Sequence, residues 1–492
     1  KVVSGQDGHW TIRSRLTVRG VKDNQKGELA RYAGTSTRGG QKALVSEAVR
    51  HGWPICTLDI SVAFLKGVTY EEVSKMTGVP MREVNSYLPA ACVPLLRKVP
   101  GFENFDPRTE VLHCDKPGTG LTDAPRAFSI KLKTVTDTKC RMRASLVDAE
   151  MCVKHKMFRQ LVAMLTKHVD DIKLTGTSFE TKNVIQSLHD TFGELKIEWH
   201  QFTNCGVRHY QDRISKEVTL DQVEYVQRLR PMVHSQLRSG QPTDLCCPEL
   251  QALYMSLLGA IAYLSHTRVD IVVFICAFQR QTHKPLVQHA RRLNKLLTWV
   301  QKNPRKLVYK RFGRGHAGSG TPMGEATGTV PATHLRVISD AAYKRETEDG
   351  YSLRGALFLR AATPGSDLLA KAECVVHIID VACRSQKRVT RSTFAAELLA
   401  AGESADQGLL TSHMLYETEC GILTAQEARQ RRSRKGYLPI SLLVDAKSVY
   451  AAVTATFIKR PADQSLLCDC LLYTSDAADE GLGVDLGGRR II

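Results

Sequence analysis

The tetrapeptide His168-Val-Asp-Asp171 constrains the fold of this chain more than any other feature of the sequence. It separates two apolar runs, residues 161–165 and 172–176, whose composition is typical of β-strands. A strand, an acidic turn and a second strand predict a β-hairpin with two adjacent carboxylates at its tip. Carboxylates held this close repel each other and need a cation, so the hairpin indicates a metal site. An Asp-Asp pair alone is weak support, since such pairs are common on solvated turns.

A third carboxylate, Asp59, is expected to join this pair. It lies in the segment Leu58-Asp-Ile-Ser-Val-Ala-Phe-Leu-Lys-Gly67, and residues 51–67 predict a buried strand that runs into a turn and a helix. Three convergent aspartates can hold two divalent metal ions about 4 Å apart, which is the arrangement used to transfer nucleotidyl groups. Asp59 together with the acidic hairpin is therefore a stronger signal than either part.

The net charge of the chain favours a polyanionic partner. Its 492 residues carry a formal charge of +18, and nucleic acid is the commonest partner of such basic proteins. The basic residues are spread along the chain without a basic tail, which favours a groove assembled by folding over a tethering arm. A soluble basic protein without such a partner is the alternative.

The cysteines and the apolar runs indicate a reducing intracellular setting. Fourteen cysteines are scattered without the Cys-x-x-Cys or Cys/His spacing of a zinc site, and free thiols fit a reducing compartment. The sequence shows no signal peptide, and its longest apolar run, residues 271–278, is too short to span a bilayer and predicts a buried helix. Because the chain begins with Lys1 rather than Met, we expect a piece of a longer reading frame.

The tail, residues 470–492, is predicted not to be native protein. Residues 470–480 look like a translated sequencing-library transposase adapter, and residues 484–492 look like the flow-cell adapter that follows it. We therefore expect the native gene to continue differently after about Asp469. An ordinary acidic, glycine-rich C-terminus is the alternative interpretation.

The pattern of predicted elements changes twice along the chain. Up to Leu220 the βαβ-rich order is that of an α+β protein, and residues 221–301 are mainly helical. Residues 311–333 are rich in Gly, Pro and Thr, which favours a linker, and a new α/β pattern follows. The expected domains are residues 1–230, 231–332 and 333–469, followed by the tail.

Seven short blocks, spread in order along the chain, carry a resemblance to a known family. The blocks are Leu58–Gly67, Gly120–Phe128, His168–Asp171, Tyr263–Ile271, Ser339–Tyr343, Ser392–Leu398 and Leu443–Ser448. They resemble the reverse transcriptase and RNase H region of copia-type LTR retrotransposon Pol polyproteins, and the match covers nearly all of residues 1–467. The resemblance implies an α+β right-hand polymerase with fingers and palm, then thumb and connection helices, and finally a truncated α/β RNase H-like domain.

The resemblance implies an RNA-directed DNA polymerase whose catalytic residues are Asp59, Asp170 and Asp171. These aspartates would bind two Mg²⁺ or Mn²⁺ ions, of which one lowers the pKa of the primer 3′-hydroxyl and the other neutralises the departing pyrophosphate. The implied partners are an RNA template, a DNA primer and dNTPs. The excess of lysine and arginine side chains would bind the backbone of the template–primer duplex. This binding would depend on salt and be largely independent of sequence.

The same resemblance assigns residues that contact the incoming nucleotide. Phe64 would be the steric gate that rejects a ribose 2′-hydroxyl, and a plain core phenylalanine is the alternative. Pro125 belongs to the block that helps to shape the nucleotide pocket. Arg13 and Arg15 would grip the triphosphate, because a guanidinium matches phosphate oxygens bidentately. A solvated strand face is the alternative for both arginines.

A second, hydrolytic site is implied for Asp340, Glu397 and Asp445. These acids arrive at a strand end, on a helix and at a strand end, where they would bind two Mg²⁺ or Mn²⁺ ions and activate water against the RNA of an RNA–DNA hybrid. Taken singly, each acid could equally be a surface residue. The family's fourth acidic ligand should follow Leu467, where the adapter-like tail stands, so we expect weak or absent RNase H activity.

Three positions depart from the family pattern. His168 stands where an aromatic residue is usual, Thr119 replaces a usual Tyr, and Asp123 replaces a usual Gln. Asp123 adds negative charge near the triphosphate site, which is unfavourable unless its side chain points away or pairs with Arg126.

Two functional interpretations follow. The first is a retrotransposon reverse transcriptase with a truncated RNase H domain, located inside the cell in a cytoplasmic virus-like particle, in the nucleus or in both. The second is a decayed, catalytically inactive retroelement fragment that only binds nucleic acid. The survival of all six carboxylates in an open frame favours the first. No membrane is expected as a partner, and the sequence leaves dimerisation open.

Overall fold

The computed structural model describes most of the chain between residues 17 and 454. The described residues are 2–4, 10–12, 17–25, 27, 29, 32–312, 332–343, 351–362, 375–434, 436–454, 466 and 490–491. Arg13 and Arg15, most of the predicted linker and residues 470–489 of the tail lie outside them. The described part mixes helices with several sheets, in agreement with the predicted α+β class.

An antiparallel six-stranded sheet occupies the first half of the chain. Two short strand pairs, β1 (Val2–Ser4) with β2 (Trp10–Ile12) and β4 (Asn85–Ser86) with β5 (Leu112–His113), lie outside it. The six strands are β3 (Ile55–Ile60), β6 (Arg143–Ala144), β7 (Met151–His155), β8 (Leu161–His168), β9 (Asp171–Gly176) and β10 (Leu195–Trp199). Their order is β10-β3-β9-β8-β7-β6. The apolar runs of the sequence form the central strands β8 and β9, because only a doubly covered sheet can bury such continuous runs.

Helices cover both faces of this sheet. The helices of this part of the chain are α1 (Arg38–His51), α2 (Tyr70–Thr77), α3 (Val93–Leu96), α4 (Ala124–Thr138) and α5 (Ser178–Phe192), of which α1, α4 and α5 contact the sheet. On β8, Met164 shares a buried cluster with α1, whereas its neighbour Leu165 shares another with α4 and α5. Since successive side chains of a strand point to opposite faces, α1 lies on one face and α4 and α5 lie on the other.

The start of α1 is fixed by a side-chain cap. Thr37 accepts a hydrogen bond from the Gly40 amide at 2.9 Å and donates one to Asp148 at 2.9 Å. Immediately before the cap, the Ser36 amide donates to the Lys167 carbonyl at 2.8 Å, and Thr35 forms an isolated β-bridge with His168. These contacts hold the first turn of α1 beside the end of β8.

A four-stranded antiparallel sheet and a group of helices follow. The strands β11 (Gln201–Asn204), β12 (Val207–Gln211), β13 (Val218–Asp221) and β14 (Leu307–Tyr309) pair in that order. The helices are α6 (Val223–Arg228), α7 (Gln236–Ser239), α8 (Pro248–Ala262), α9 (Val272–Gln279) and α10 (Val287–Lys302). Tyr254 and Leu293 are fully buried between α8 and α10, so these helices have a core of their own. The helical pattern predicted for residues 221–301 is thus present in the structure.

A five-stranded mixed sheet forms the C-terminal part. Its strands are β15 (Thr333–Ala342), β16 (Leu353–Ala362), β17 (Val376–Ser385), β18 (Ile440–Val444) and β19 (Arg490–Ile491), in the order β17-β16-β15-β18-β19. The first three strands are antiparallel, and β18 runs parallel to β15. The long helix α11 (Thr393–Cys420) packs on this sheet, and α12 (Ala425–Arg434) and α13 (Lys447–Val453) follow it.

The strand β19 belongs to the tail that the sequence predicts to be an adapter translation. Arg490 and Ile491 pair in parallel with Ser441 and Leu442 of β18. Residues 470–489 lie outside the described part of the chain. The adapter interpretation therefore stays a prediction.

One hydrophobic core joins the first sheet to the C-terminal sheet. Leu44 of α1 and Met164 of β8 belong to the same buried cluster as Leu335, Phe358 and Leu415 of the C-terminal part. The helix α1 contacts β8 and β9 on one side and β17 on the other. It is consequently shared between two sheets that are far apart in the sequence.

A buried ionic network crosses the same junction. Arg360 of β16 is fully buried and donates to Glu47 of α1 at 2.8 Å and to Glu419 of α11 at 2.6 Å. Burial tends to raise the pKa of Glu47, but Arg360 and Arg50 hold this pKa well below its usual range. Removing one partner from such a network leaves an uncompensated buried charge, which costs about 3–5 kcal/mol.

Backbone carbonyls also accept hydrogen bonds across the junction. The Tyr309 hydroxyl donates to the Ile378 carbonyl at 2.6 Å, and His377 is 2.7 Å from the Lys310 carbonyl. Ser145 donates to the carboxylate of Glu417 at 2.5 Å. Tyr309 lies on β14 of the four-stranded sheet, and Ser145 lies between β6 and β7 of the first sheet. These polar contacts therefore tie the C-terminal part to both of the other sheets.

Among the helices of the described ranges, none is both long enough and apolar enough to cross a membrane.

Candidate active sites

The acidic tetrapeptide lies at the tip of a tight hairpin, as predicted. The strand β8 ends at His168, β9 begins at Asp171, and these two residues pair directly. Val169 in the turn has a φ of 61°, a left-handed conformation that β-branched residues rarely adopt. Strained backbone of this kind is common at functional sites.

Asp59 lies next to this hairpin in the sheet. In the register of β3 and β9, Asp59 pairs directly with Asp171. Directly opposed residues of an antiparallel pair present their side chains on the same face. Along β3 only Asp59 is exposed, while its neighbours Leu58 and Ile60 are buried. The strand alternation thus leaves one carboxylate of the strand facing solvent beside the hairpin.

The electrostatics of Asp171 are those of a carboxylate among other carboxylates. Its pKa is raised first by burial and then by Asp170, with a further contribution from Asp59. A hydrogen bond from the Cys205 amide and the proximity of His168 act in the opposite direction. A bound cation would oppose both the burial and the repulsion that raise this pKa.

The three aspartates do not converge on a single point. Among the described residues, one acidic group has ligand oxygens that all lie within 4.8 Å of one another, and it is not this one. The structure therefore brings Asp59 and Asp171 together across the sheet and places Asp170 in the adjoining turn, without a closed metal cage.

Phe64 and Pro125 lie on adjoining elements near this hairpin. Phe64 follows β3 in the short 3₁₀ helix Ala63–Lys66 and is half-buried against the core under the sheet. Pro125 is in the first turn of α4, which packs on that 3₁₀ helix. Gly67 permits this approach, since a Cβ there would lie 3.1 Å from the backbone of Ala127. Both the steric-gate role and the plain-core role of Phe64 fit this position.

Asp123 has a partner that the sequence does not indicate. Its carboxylate accepts a hydrogen bond at 2.6 Å from Arg82, which also pairs with Asp23. The expected partner Arg126 is not the one observed. The sequence gives no signal for this pairing, because Arg82 lies 41 residues away outside every recognised block. Arg82 offsets part of the charge of Asp123, since it is shared between Asp123 and Asp23. The predicted triphosphate ligands, Arg13 and Arg15, lie outside the described residues.

The second acidic site is a compact triad. Asp340 lies near the end of β15, Asp445 follows β18, and Glu397 lies in the first two turns of α11. Because Ser339 pairs with Val444 in the parallel register of β15 and β18, the next residues, Asp340 and Asp445, lie side by side. Ligand oxygens of the three acids lie within 4.8 Å of one another, so the triad can hold a metal ion.

Glu397 shows that this triad fits a cation. Burial raises its pKa to about 7, and Asp340 and Asp445 contribute to the increase. One of its oxygens accepts a hydrogen bond from the Ala341 amide at 3.3 Å, while the other is buried without a hydrogen-bond partner. Three carboxylates, one of which has an oxygen without a hydrogen-bond partner, provide the oxygen ligands that Mg²⁺ and Mn²⁺ prefer.

Fold and site together define a mixed α and β protein with an acidic hairpin in its first sheet and an acidic triad on its last. The chain is 23% identical over 399 residues to the "Retrovirus-related Pol polyprotein from transposon RE2" of Arabidopsis thaliana. It is 22% identical over 396 residues to the corresponding polyprotein from transposon RE1 of the same plant. Each match covers 77% of this chain.

These matches confirm the resemblance to copia-type retrotransposon Pol polyproteins that the sequence blocks predict. The chain spans 23% of the length of each of the two polyproteins. No protein-family profile matches the chain. The chain is thus similar to a Pol region of a retrotransposon.

Proposed function

We propose that this chain is an RNA-directed DNA polymerase with an appended RNase H-like domain. The observation that carries the proposal is the direct pairing of Asp59 with Asp171 beside the Asp170 turn, in a chain similar to Pol polyproteins. In this proposal residues 1–230 are fingers and palm, with the six-stranded sheet as the palm. Residues 231–332 are thumb and connection, and residues 333–469 are the RNase H-like domain.

The polymerase step would use the carboxylates of the hairpin and of β3. Asp59, Asp170 and Asp171 would hold two Mg²⁺ or Mn²⁺ ions, which when bound acidify the primer 3′-hydroxyl and offset the charge of the leaving pyrophosphate. Burial raises the pKa of Asp171, and Asp170 and Asp59 raise it further, which supports a site that a cation would stabilise. The Cys205 amide donates a hydrogen bond to Asp171 and so restricts the orientation of its carboxylate.

Selection of the nucleotide would fall to residues around the turn after β3. Phe64 would exclude a ribose 2′-hydroxyl, and Pro125 would shape the pocket from the start of α4. The packing of α4 on the Phe64 turn supports this pair. Arg13 and Arg15 would bind the triphosphate, and Arg82 would weaken its repulsion by Asp123.

The C-terminal triad would cleave the RNA strand of an RNA–DNA hybrid. Asp340, Glu397 and Asp445 would hold two Mg²⁺ or Mn²⁺ ions, which when bound generate the attacking hydroxide. The raised pKa of Glu397 supports a site built for positive charge. The proposal includes an RNA template, a DNA primer and dNTPs as partners, and a cytoplasmic virus-like particle or the nucleus as location.

A second candidate function is binding of nucleic acid without catalysis. The open arrangement of the three polymerase aspartates favours this candidate, since their oxygens do not all lie within 4.8 Å among the described residues. A retroelement copy that had lost activity would keep the fold and the basic surface.

Primer extension separates the two candidates. The purified chain is given an RNA template with an annealed DNA primer, Mg²⁺ or Mn²⁺, and labelled dNTPs. We expect incorporation that D170N reduces by at least about a hundredfold, because one carboxylate of the two-metal set is lost. The matched control is D190N, which changes an exposed aspartate on α5. Salt-sensitive binding of the duplex without any incorporation would support the passive binder instead.

A further inference from the structure

A cavity of about 370 Å³ lies directly beside the acidic hairpin. Its walls are the hairpin residues His168 and Asp171, the first turns of α1, and the tip of the β11–β12 hairpin. Cys205 at that tip donates its amide to Asp171, and the Tyr263 hydroxyl donates to the Cys205 carbonyl. The cavity is therefore continuous with the proposed polymerase site.

Lys42 of α1 projects an unpaired amine into this cavity. Its side chain is 4% exposed, and its Nζ has no hydrogen-bond partner. Burial lowers its pKa to about 8, with Asp380 acting against the decrease and Arg38 adding to it. A buried ammonium without a partner is unfavourable, since it loses its water without gaining a hydrogen bond. An anion in the cavity would restore that bond.

The other cations of the cavity wall are already engaged. Lys173 is hydrogen-bonded to His209 at 3.1 Å. Arg38 donates to the Ser265 hydroxyl at 3.0 Å and to the Val381 carbonyl at 3.2 Å, and lies 3.6 Å from Asp380. Among the described residues that line the cavity, Lys42 is thus the cation left for a ligand.

We infer that Lys42 binds a backbone phosphodiester of the primer strand close to its 3′ end. The inference rests on the proposed polymerase function and names a ligand contact within it. A primer 3′-hydroxyl that reacts beside Asp171 must have its nearest phosphodiesters about one nucleotide away. The cavity that contains Asp171 also contains the unpaired Lys42 amine, so it offers that phosphodiester a charge-assisted hydrogen bond.

The apolar part of the wall suits the rest of a nucleotide. Val207, Leu220 and Tyr263 line the cavity together with the charged residues. An aromatic ring and aliphatic side chains can contact a sugar or the face of a base without reading its identity. A contact to phosphate and sugar is sequence-independent, as a polymerase requires.

The test is a thermodynamic cycle that combines the removal of one side chain with the neutralisation of one phosphate. Primer–template duplexes carry a neutral methylphosphonate at one of the last linkages before the primer 3′ end. Affinities of the wild-type chain and of K42M are measured by fluorescence anisotropy in EDTA, where no nucleotide can be added. We expect one methylphosphonate position to weaken wild-type binding about tenfold and to leave K42M binding unchanged. K42M should also lower the slope of log affinity against log salt by about one.

The controls separate this contact from general charge effects. K182M removes an exposed lysine of α5, on the opposite face of the sheet, and should keep the wild-type response to methylphosphonates. K42R should keep the salt slope. If the methylphosphonate weakens duplex binding equally in the wild-type chain and in K42M at every linkage, the inference is overturned. Competition by inorganic phosphate or pyrophosphate, without any methylphosphonate effect, would assign Lys42 to a free anion instead and would equally overturn it.

If K42M does not fold, a measurement on the wild-type chain tests the same contact. Reductive methylation of Lys42, read by peptide mass spectrometry, should be suppressed by the all-phosphate duplex and restored by the duplex with the sensitive methylphosphonate. Equal methylation with both duplexes would contradict the inference. Because every readout is binding, a chain that binds in this way without extending primers would disprove the polymerase proposal alone.

Discussion

Glu397 is the single residue whose chemistry depends most on its surroundings. Its pKa of about 7 arises from burial and from the carboxylates of Asp340 and Asp445. An acid whose pKa is higher in the folded than in the unfolded chain lowers the stability of the fold once the pH exceeds its unfolded-state pKa. The cost is absent below about pH 4.5 and complete above about pH 7.

E397Q should therefore stabilise the metal-free chain at pH 8 and not at pH 4. We expect a gain of about 1 kcal/mol after allowance for solvent screening, measured as the difference in thermal unfolding between variant and wild type at each pH. E194Q changes an exposed glutamate and should show no such trend. A gain that is constant across the pH range would mean that charge repulsion in the triad is not its source.

At the scale of elements, the β8–β9 hairpin holds a strained turn. Val169 has a φ of 61° between His168 and the two aspartates. A side chain with a Cβ in this conformation costs about 1–2 kcal/mol, and the strain persists because the paired strands on both sides impose it. Such a turn fixes where Asp170 points.

V169G should stabilise the chain by about 1 kcal/mol, because glycine adopts a positive φ without steric cost. Chemical denaturation measures the gain, and V169A is the control that keeps the Cβ and should gain much less. We also expect V169G to lower primer extension, since the turn would no longer hold Asp170 in one direction. A destabilised V169G would show that the Val169 side chain contributes packing that outweighs the strain.

The sequence predicts those elements whose residues form a regular apolar pattern or a short recognisable motif. The hairpin and the helices of residues 221–301 follow from short-range periodicity, whereas the acids of the C-terminal sheet follow from the resemblance of their blocks to a known family. The pairing of Asp123 with Arg82 does not, and neither does the position of Lys42. Each depends on chain segments brought together by tertiary folding, and an ion pair leaves no periodic trace in a sequence.

The whole molecule depends on a junction that the sequence conceals. Arg360 and Glu47 are 313 residues apart, yet they form a fully buried ion pair between β16 and α1. The sequence predicts a linker between two separate domains. The structure adds that both sides share one apolar cluster, so α1 serves two sheets at once.

R360M should cost about 3 kcal/mol of unfolding free energy, because the buried carboxylate of Glu47 loses one of its two arginine partners. Arg50 remains 3.2 Å from both Glu47 and Glu419. Denaturant unfolding followed by circular dichroism measures the loss. K75M, which breaks the exposed Lys75–Glu71 pair on α2, is the contrast and should cost less than about 1 kcal/mol. Adding E47Q to R360M should recover part of the loss, and failure to do so would show that the charge of Glu47 is not the reason for it.

The shared helix α1 also bears on how copies of such an element change over time. Under the proposed function, a copy whose Asp340 or Asp445 has mutated would lose only the nuclease, whereas a copy that loses Arg360 or Phe358 would lose support for the sheet that carries Asp171. Selection for DNA synthesis alone would then preserve the inner positions of the C-terminal domain. Among sibling copies, we expect substitutions to accumulate faster at the triad than at the junction, so the domain persists as architecture after its own chemistry is gone.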